Sequence, residues 1–296
     1  MDTTRLVYAQ DNTPLRNFVI VQNNDKIVSK AQEGAQPIAV YLMNRENLIT
    51  DTIGYYWFDD VLPVGENRVL ITTHNKNIVI QHHQGCIQAK QEFVFCESSH
   101  RGPVFFRDKA YLPYGIASKK NLPRVDVILT DTSKHHCLNL EGRRYRISAT
   151  RKVKLTKNLI WSLPVTIGLG SDHLAVFLRD AQELLLFDSS GYVSRLLLPT
   201  GKDQVWHYLY DWQEDDHYFI RATPDEQLEL FRWQGQKLRN LQPLTDFPTQ
   251  IIGGRLIFCQ GSFKTNCDYY EASIRYRPTG EDIIPEIKSR QPVAQQ

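Results

Sequence analysis

The sequence has few cysteines, and they follow no disulfide pattern. The five are spread along a chain of 296 residues and are Cys86, Cys96, Cys137, Cys259 and Cys267. An odd, sparse set in a long chain is not the framework of a disulfide-stabilised secreted domain. Cys259 and Cys267 are near enough in sequence to face each other across a hairpin. We nevertheless expect all five to be reduced thiols of a cytoplasmic protein.

Signals for membranes and a strong net charge are also missing. The first residues, Met1 to Tyr8, contain no basic stretch followed by an apolar one, so no secretory signal is expected. No run approaches the ~18 apolar residues of a membrane span. The formal net charge is +2, from 35 Lys and Arg against 33 Asp and Glu. This balance argues against a membrane surface or nucleic acid as the main partner.

Helical patterning is almost absent, and short alternating strands take its place. Few windows put apolar residues at helical spacing. Strand-like runs separated by turn residues include Phe18–Val21, Val69–Thr72, Ile78–Ile80, Val125–Leu129, Leu184–Phe187 and Arg255–Phe258. Such spacing predicts an all-β fold: a sandwich, a barrel or a propeller.

An internal repeat selects among these folds. Asp172-His173 and Asp216-His217 each open a strand, and the two pairs are 44 residues apart. Each strand is followed by a second strand, a glycine and a third strand. The glycines, Gly191 and Gly235, are again 44 residues apart. A period in the forties with three or four strands per unit is typical of β-propeller blades.

The repeat unit resembles the generic blade of WD40-like and quinoprotein-like propellers. It lacks the Trp-Asp dipeptide of WD40 blades, because Phe187-Asp188 and Phe231-Arg232 stand at the corresponding positions. The resemblance implies a single propeller with three to four antiparallel strands in each blade. The turns at the ends of successive units predict about six blades, with five to seven possible. We place the domain at residues 1–283 and a flexible tail at 284–296. A pair of β-sandwiches is the structural alternative.

Histidine-rich segments suggest no metal site. His82-His83 and His135-His136-Cys137 are adjacent residues, and neighbours on a strand point to opposite faces. We therefore expect them in exposed hairpin turns, and we expect no metal or cofactor. His173 and His217 recur in register, which indicates a role in blade architecture.

One carboxylate raises the possibility of an enzyme. The segment from Glu97 to Ser118 resembles the part of five-bladed glycosidases where an acid precedes Gly-Pro and an aromatic hairpin. That resemblance implies Glu97 as a general acid, although residues 98–101 separate it from Gly102-Pro103. No partner carboxylate is evident, and glycosidases need two. Phosphate loops and nucleophile elbows are absent too, and Gly168–Ser171 is interpreted as a turn.

Charge and aromatic residues supply the candidate binding surface. The basic segment contains Arg143, Arg144, Arg146, Arg151, Lys152 and Lys154. An acidic segment, with Asp211, Glu214, Asp215, Asp216, Asp225, Glu226 and Glu229, follows in other blades. The candidate aromatic anchors are Tyr56, Trp57, Trp206 and Trp212. Solvated edges and packing between blades are the plainer interpretations of these two patterns.

These observations favour a non-enzymatic, cytoplasmic β-propeller that binds another protein. One concrete role is that of an immunity or antitoxin protein that blocks a partner toxin. The alternative is a glycan-active enzyme of the glycoside hydrolase type, or a lectin, using the central channel of a propeller.

Overall fold

The computed structural model describes residues 4–5, 15–30, 39–55, 58–65, 67–73, 76–94, 104–107, 109–114, 123–129, 144–153, 165–191, 193–201, 204–262 and 266–291. The chain forms two compact units. Unit 1 consists of Met1–Gly102, Ser133–Asn139 and Pro248–Ser273, and unit 2 of Pro103–Thr132, Leu140–Phe247 and Ile274–Gln296.

Unit 1 contains three blades of antiparallel strands. Blade 1 consists of β2 (Leu15–Ile20), β3 (Lys26–Lys30), β4 (Ala39–Met43) and β5 (Ile49–Tyr55). Blade 2 consists of β6 (Phe58–Pro63), β7 (Arg68–Thr73), β8 (Lys76–His83) and β9 (Cys86–Val94). Blade 6 consists of β22 (Pro248–Ile252), β23 (Arg255–Ser262), β24 (Asn266–Ser273) and the short β1 (Thr4–Arg5), which pairs with β24.

Unit 2 contains the other three blades. Blade 3 consists of β10 (Val104–Phe106), β11 (Lys109–Tyr114), β12 (Arg124–Leu129) and β13 (Arg144–Ser148). Blade 4 consists of β14 (Val165–Leu169), β15 (His173–Leu178), β16 (Glu183–Asp188) and β17 (Val193–Leu197). Blade 5 consists of β18 (Val205–Asp211), β19 (Asp216–Ala222), β20 (Leu228–Gln234) and β21 (Lys237–Leu244).

The predicted fold class is confirmed. The protein is an all-β propeller with six blades, and consecutive strands within each blade pair antiparallel. Within unit 1, blades 6 and 1 are joined into one sheet where Leu15 of β2 pairs with Cys267 of β24. Short 3₁₀ turns at Gln22–Asn24 and Arg179–Ala181 interrupt the strands. Among the residues that the structure describes, no helix is long and apolar enough to cross a membrane. That residues 1–283 form one domain stays a prediction.

The 44-residue repeat corresponds to blades 4 and 5. Its first strands are β15 and β19, its second strands β16 and β20, and its third strands β17 and β21. Gly191 and Gly235 occupy the third turn of each blade with φ of 87° and 64°, a conformation that favours glycine. Apolar side chains of both blades, among them Phe177, Phe219 and Phe231, form a shared buried core.

His82 does not lie in an exposed turn, contrary to the prediction. It belongs to β8, and its side chain is fully buried. Its Nδ1 lies 2.9 Å from the Asp25 carboxylate, which also accepts the Gly85 N–H at 2.9 Å. Asp25 follows the turn between β2 and β3, so this contact ties blade 1 to blade 2 within unit 1. His83, the next residue, is exposed.

The prediction of reduced cysteines is wrong for one pair. Cys259 in β23 and Cys267 in β24 form a disulfide, with their Cα atoms 5.3 Å apart. The hairpin register brings them together, because Cys267 pairs with Gly261 and Cys259 with Tyr269. Cys86 is a free, exposed thiol. Cys96 and Cys137 lie outside the described residues, as do His135 and His136.

The predicted tail, residues 284–296, contains a strand. β25 (Glu286–Gln291) pairs antiparallel with β17 and becomes the fifth strand of blade 4. Before it, Ile283 forms an isolated bridge with Leu238 of β21. The part of the chain that was expected to fray therefore extends a blade. Its last residues, 292–296, lie outside the described part.

Candidate functional site

The most chemically distinctive group of side chains in unit 2 lies at the hairpins that open blades 4 and 5. Tyr208 and Tyr210 are two apart on β18 and therefore point to the same face. Tyr210 pairs across the strands with His217 of β19. Asp215 lies in the turn between these strands. His173 begins β15 in blade 4, directly after Asp172. We call Asp172, His173, Tyr208, Tyr210, Asp215 and His217 the histidine cluster.

Two glycines make room for this cluster. A Cβ atom at Gly168 would lie 2.6 Å from both the Tyr208 hydroxyl and Cγ of Tyr210. A Cβ atom at Gly170 would lie 2.6 Å from Cε1 of His173 and 2.8 Å from Oδ1 of Asp215. The predicted turn at Gly168–Ser171 thus also has a packing role, because any side chain at either glycine would collide with the cluster.

Hydrogen bonds hold the cluster in place. The Tyr208 hydroxyl lies 2.8 Å from Nδ1 of His217, and the Tyr210 hydroxyl donates to Asp215. Nδ1 of His173 lies 2.9 Å from an Asp172 carboxylate oxygen. The two imidazole rings are 5.1 Å apart, centroid to centroid. Each acidic group and each ring is therefore positioned by a named partner.

Burial sets the electrostatics of the cluster. Desolvation lowers the pKa of His217 to about 3, with the neighbouring His173 adding to the effect. Burial also raises the pKa of Tyr208 and of Tyr210 well above the ordinary value, so both stay neutral. At the exposed side, the hydrogen bond from His173 lowers the pKa of Asp172. At neutral pH the rings of Tyr208, Tyr210 and His217 are thus neutral, and the Asp172 carboxylate faces solvent.

The accessible edge of the cluster is a set of ligand-type atoms. Asp172, His173 and Asp215 each offer a nitrogen or carboxylate oxygen, and these atoms lie within 4.8 Å of one another. The side chains of Asp172 and Asp215 are 77% and 47% exposed, whereas that of His173 is 18% exposed. This arrangement suits binding of a cation or a polar ligand. A lowered pKa makes Asp172 a poor general acid.

The predicted basic segment is only partly described. Arg143 and Lys154 lie outside the described residues, and for Arg144 only the backbone in β13 is described. Arg146 is about half exposed and lies 3.3 Å from Asp126 of β12. Lys152 is exposed. Arg146 therefore has an acidic neighbour within its own blade.

Arg151 has a structural role, contrary to its placement in the binding surface. Its guanidinium donates to the backbone carbonyls of Ala181, at 3.1 Å, and Gln182, at 3.3 Å. It also donates to the carbonyl of Leu198. These contacts fasten the segment after β13 to blade 4. A cation used in this way is not free to dock a partner.

The predicted aromatic anchors differ in their burial. Trp206 is fully buried in the core of blades 4 and 5, and its indole N–H donates to the Pro199 carbonyl at 2.8 Å. Its prediction as an exposed anchor is therefore wrong, because both faces of β18 are covered here: Val205, Trp206, His207 and Tyr208 are all buried. Trp212 is half-buried, and its buried indole nitrogen has no hydrogen-bond partner. Tyr56 and Trp57 lie outside the described residues, as does Glu97.

The acidic segment is not a uniform patch. Asp211 is buried and accepts the backbone N–H groups of Gln213 and Glu214. Asp216 pairs with Arg232, and Glu229 pairs with Arg221. Several predicted surface charges are thus matched within blade 5. Asp215 is the member of this segment that joins the histidine cluster.

Sequence reasoning placed Asp172 and His173 in the repeat and Asp215 in the acidic segment, but it did not bring the three side chains together. His173 and His217 occupy the same position in the repeat, and this suggested that the two have the same role. Asp215 lies 42 residues after His173, in the loop between β18 and β19. No ligand spacing within a single strand signals this group. The two glycines at positions 168 and 170 were the available clue, since close packing requires them.

Similarity to known proteins is confined to solved structures. No family model matches the chain. No curated protein matches it either. Among solved structures, the β-propeller domain of the Trilobed protease from Pyrococcus furiosus, described as having an open velcro topology, is 11% identical with a TM-score of 0.42. The alignment with it covers 79% of this chain and 85% of the propeller domain's chain. A structure of KlHsv2 with loop 6CD replaced by a Gly-Ser linker is 10% identical, with a TM-score of 0.29. That alignment covers 79% of this chain and 99% of the KlHsv2 chain.

Proposed function

We propose that this protein is a non-enzymatic β-propeller that binds another protein by accepting one of its strands. The observation that carries the proposal is β25. This strand pairs with β17 at the outer edge of blade 4 and enlarges the blade to five strands. The fold therefore accommodates strand addition at a blade edge, which is a common mode of peptide recognition.

Blade 2 presents a corresponding edge. Its last strand, β9, is nine residues long, and among the described strands it pairs only with β8. Most of its side chains are exposed, including Val94 at 43%. Lys90 and Glu92 form an ion pair on it, which is the kind of charge that protects an edge from unspecific pairing. Near its start β9 already contacts blade 1, because the Ile87 N–H donates to Asp51 at 3.2 Å and the Lys90 ammonium donates to the Ile53 carbonyl at 2.7 Å. We propose that a partner strand pairs along the remaining length of β9.

Proline substitutions test this edge. Consecutive N–H groups of a strand point to opposite sides, so one of Gln91→Pro and Glu92→Pro removes an N–H from the β8 side and the other from the open side. The proline on the open side should leave urea unfolding unchanged, because it removes no hydrogen bond to β8. We expect that variant to bind the partner about tenfold more weakly or worse, which corresponds to about 1.4 kcal/mol. Glu92→Gln is the control for the lost charge. Unchanged affinity in the stably folded proline variant would refute strand addition at β9.

A narrower form of the proposal is an immunity or antitoxin role. The partner would then be a toxin encoded by the adjacent gene. Co-purification of the two products, together with protection of cells that express the toxin, tests it. If the two products neither bind nor neutralise each other, this narrower role is wrong, while binding to another protein through β9 would still be measurable.

The basic segment enters the proposal through Arg146 and Lys152. Charge reversal at Arg144 and Arg146 is expected to weaken the complex, and more so at low salt, if these residues steer an acidic partner. Asp126→Asn is a useful companion variant, because it removes the carboxylate beside Arg146. If both variants bind as the unchanged protein does, the basic segment takes no part in recognition.

Cytoplasmic location is also part of the proposal, and the Cys259–Cys267 disulfide is evidence against it. Disulfides persist mainly in oxidising compartments. Mass measurement after alkylation of protein taken rapidly from cells distinguishes the two states. Alkylation of both residues supports the cytoplasmic location, whereas protection of both contradicts it.

The second candidate is a glycan-binding protein, and the histidine cluster favours it. Aromatic rings and carboxylates within a few ångströms of each other are typical of sugar sites. Asp172 and Asp215 are close enough for a hydrolase pair, but the lowered pKa of Asp172 favours binding over hydrolysis. A glycan array probed with the unchanged protein and with Tyr210→Ala separates this candidate from strand addition.

A further inference from the structure

The orientation of His173 leaves one ring nitrogen without a role in the protein. Nδ1 contacts Asp172 at 2.9 Å. Nε2, on the other side of the ring, is buried and has no hydrogen-bond partner. It faces Oδ1 of Asp215 at 3.7 Å. A carboxylate on one nitrogen and an open second nitrogen is the usual arrangement of a metal-binding histidine.

The distance between Nε2 and Asp215 fits a shared ion. At 3.7 Å it exceeds the length of a hydrogen bond. Zinc binds imidazole nitrogen and carboxylate oxygen at about 2.0–2.2 Å, so two such ligands at a tetrahedral angle are about 3.4 Å apart. The observed separation is therefore close to what two ligands of one ion require.

The surroundings keep this gap open. A Cβ atom at Gly170 would lie 2.6 Å from Cε1 of His173, 2.7 Å from the Tyr210 hydroxyl and 2.8 Å from Oδ1 of Asp215. The Tyr210 hydroxyl donates to Asp215 and thereby orients that carboxylate. Glycine at position 170 thus leaves free the space beside both ligand atoms.

We propose that His173 and Asp215 bind a divalent transition-metal ion, with Zn²⁺ as the best match, and that Asp172 orients His173. Nitrogen and oxygen ligands together favour zinc, cobalt, nickel or copper over magnesium and calcium. Exposure of Asp172 and Asp215 leaves the remaining coordination positions to water or to a side chain from a partner. Arg107 is a positive charge close to the site, since its guanidinium donates to the Ser171 carbonyl at 3.1 Å. This site lies in unit 2 and does not depend on the strand edge of blade 2.

Direct titration of tag-free protein with ZnCl₂ tests the site. We expect one equivalent of Zn²⁺ to bind, and we expect His173→Ala and Asp215→Asn each to weaken binding at least tenfold. His83→Ala removes an exposed histidine of unit 1 and is the matched control, with unchanged binding expected. If His173→Ala binds Zn²⁺ as tightly as the unchanged protein, the proposal is wrong.

Two further variants separate ligand from positioning roles. Asp172→Asn is expected to weaken Zn²⁺ binding about 10- to 100-fold, as loss of an outer partner does, without changing the stoichiometry. Gly170→Ala fills the space beside both ligand atoms and should abolish binding. Urea unfolding in the absence of zinc identifies any variant that fails to fold. If Gly170→Ala or Asp172→Asn fails to fold, the Zn²⁺ affinity of Asp215→Asn is the deciding measurement. Equal binding of Mg²⁺ and Zn²⁺ would overturn the proposed ligand chemistry.

Discussion

Blades 4 and 5 open their second strand with the same Asp-His pair and use it in opposite ways. In blade 5, His217 is 9% exposed and contacts the Tyr208 hydroxyl of its own blade. In blade 4, His173 contacts the exposed Asp172 and leaves Nε2 open. Asp216 in turn is paired with Arg232. Equivalent positions in a repeat therefore do not imply equivalent chemistry.

The cause of the difference lies in the first strand of each blade. Tyr208 pairs with Phe219, and the corresponding pair in blade 4 is Gly168 with Ala175. In blade 4, the N–H of Gly170 donates to the carbonyl of His173. The corresponding pair in blade 5 is Tyr210 with His217. Blade 4 has glycines where blade 5 has tyrosines, and the tyrosines occupy the space that the glycines leave. Large rings bury His217, and small residues leave His173 near the surface.

The largest expected effect concerns the two histidines. His217→Ala should lower the free energy of unfolding by about 3 kcal/mol, because it leaves a cavity and removes the partner of the Tyr208 hydroxyl. His173→Ala should cost about 1 kcal/mol, since its ring is partly exposed. Urea unfolding of both variants measures the difference. Equal losses would show that the two histidines are equivalent after all.

The glycine positions offer the next largest effect. Gly168→Ala should lower the free energy of unfolding by about 2 kcal/mol, because the new Cβ would lie 2.6 Å from the Tyr208 hydroxyl and from the ring of Tyr210. Gly235→Ala is the control, since nothing lies within 4 Å of its Cβ position and only its φ of 64° is unfavourable. We expect about 1 kcal/mol there. Thermal unfolding compares the two, and a smaller loss at Gly168 than at Gly235 would contradict the proposed packing.

Acid should affect the buried histidine. The pKa of His217 is about 3 in the folded protein and about 6.5 when exposed, so the unfolded chain takes up the proton first. The stability that His217 contributes is complete above pH ~6.5 and falls by about 1.4 kcal/mol per pH unit between these values. His217→Gln should remove this slope between about pH 7 and pH 5 in urea unfolding. His83→Gln is the control and should leave the pH dependence of the unfolding free energy unchanged. Burial lowers the pKa of His207 to about 4, so the part of the pH dependence that His207 causes remains in both variants.

The smallest effect concerns the two aspartates. Asp216→Asn removes the ion pair with Arg232 and should cost up to about 1 kcal/mol, less at high salt. Asp172→Asn should stay within about 0.5 kcal/mol, because that carboxylate is largely exposed. Chemical unfolding at low and high salt measures both. A larger loss at Asp172 would mean that its contact with His173 is structural.

Much of the fold was predictable because its signals are local. Strand alternation and the glycines of the third turn are properties of a few neighbouring residues, and they located β15, β16, β19 and β20. Strands β10 and β11 were indicated only through the resemblance that places an aromatic hairpin after Gly102-Pro103. The site was less predictable, because Asp215 lies in the loop of residues 212–215 between β18 and β19, which is one residue longer than the loop of residues 170–172 between β14 and β15.

The sequence by itself determined an all-β propeller, its repeat of 44 residues and the turns at Gly191 and Gly235, because periodicity and φ preference are encoded residue by residue. Only the tertiary structure decided which histidine is buried, which cysteines pair and where β25 adds. Those outcomes depend on contacts between residues far apart in the chain, where the size of a neighbour sets burial and the strand register sets distance.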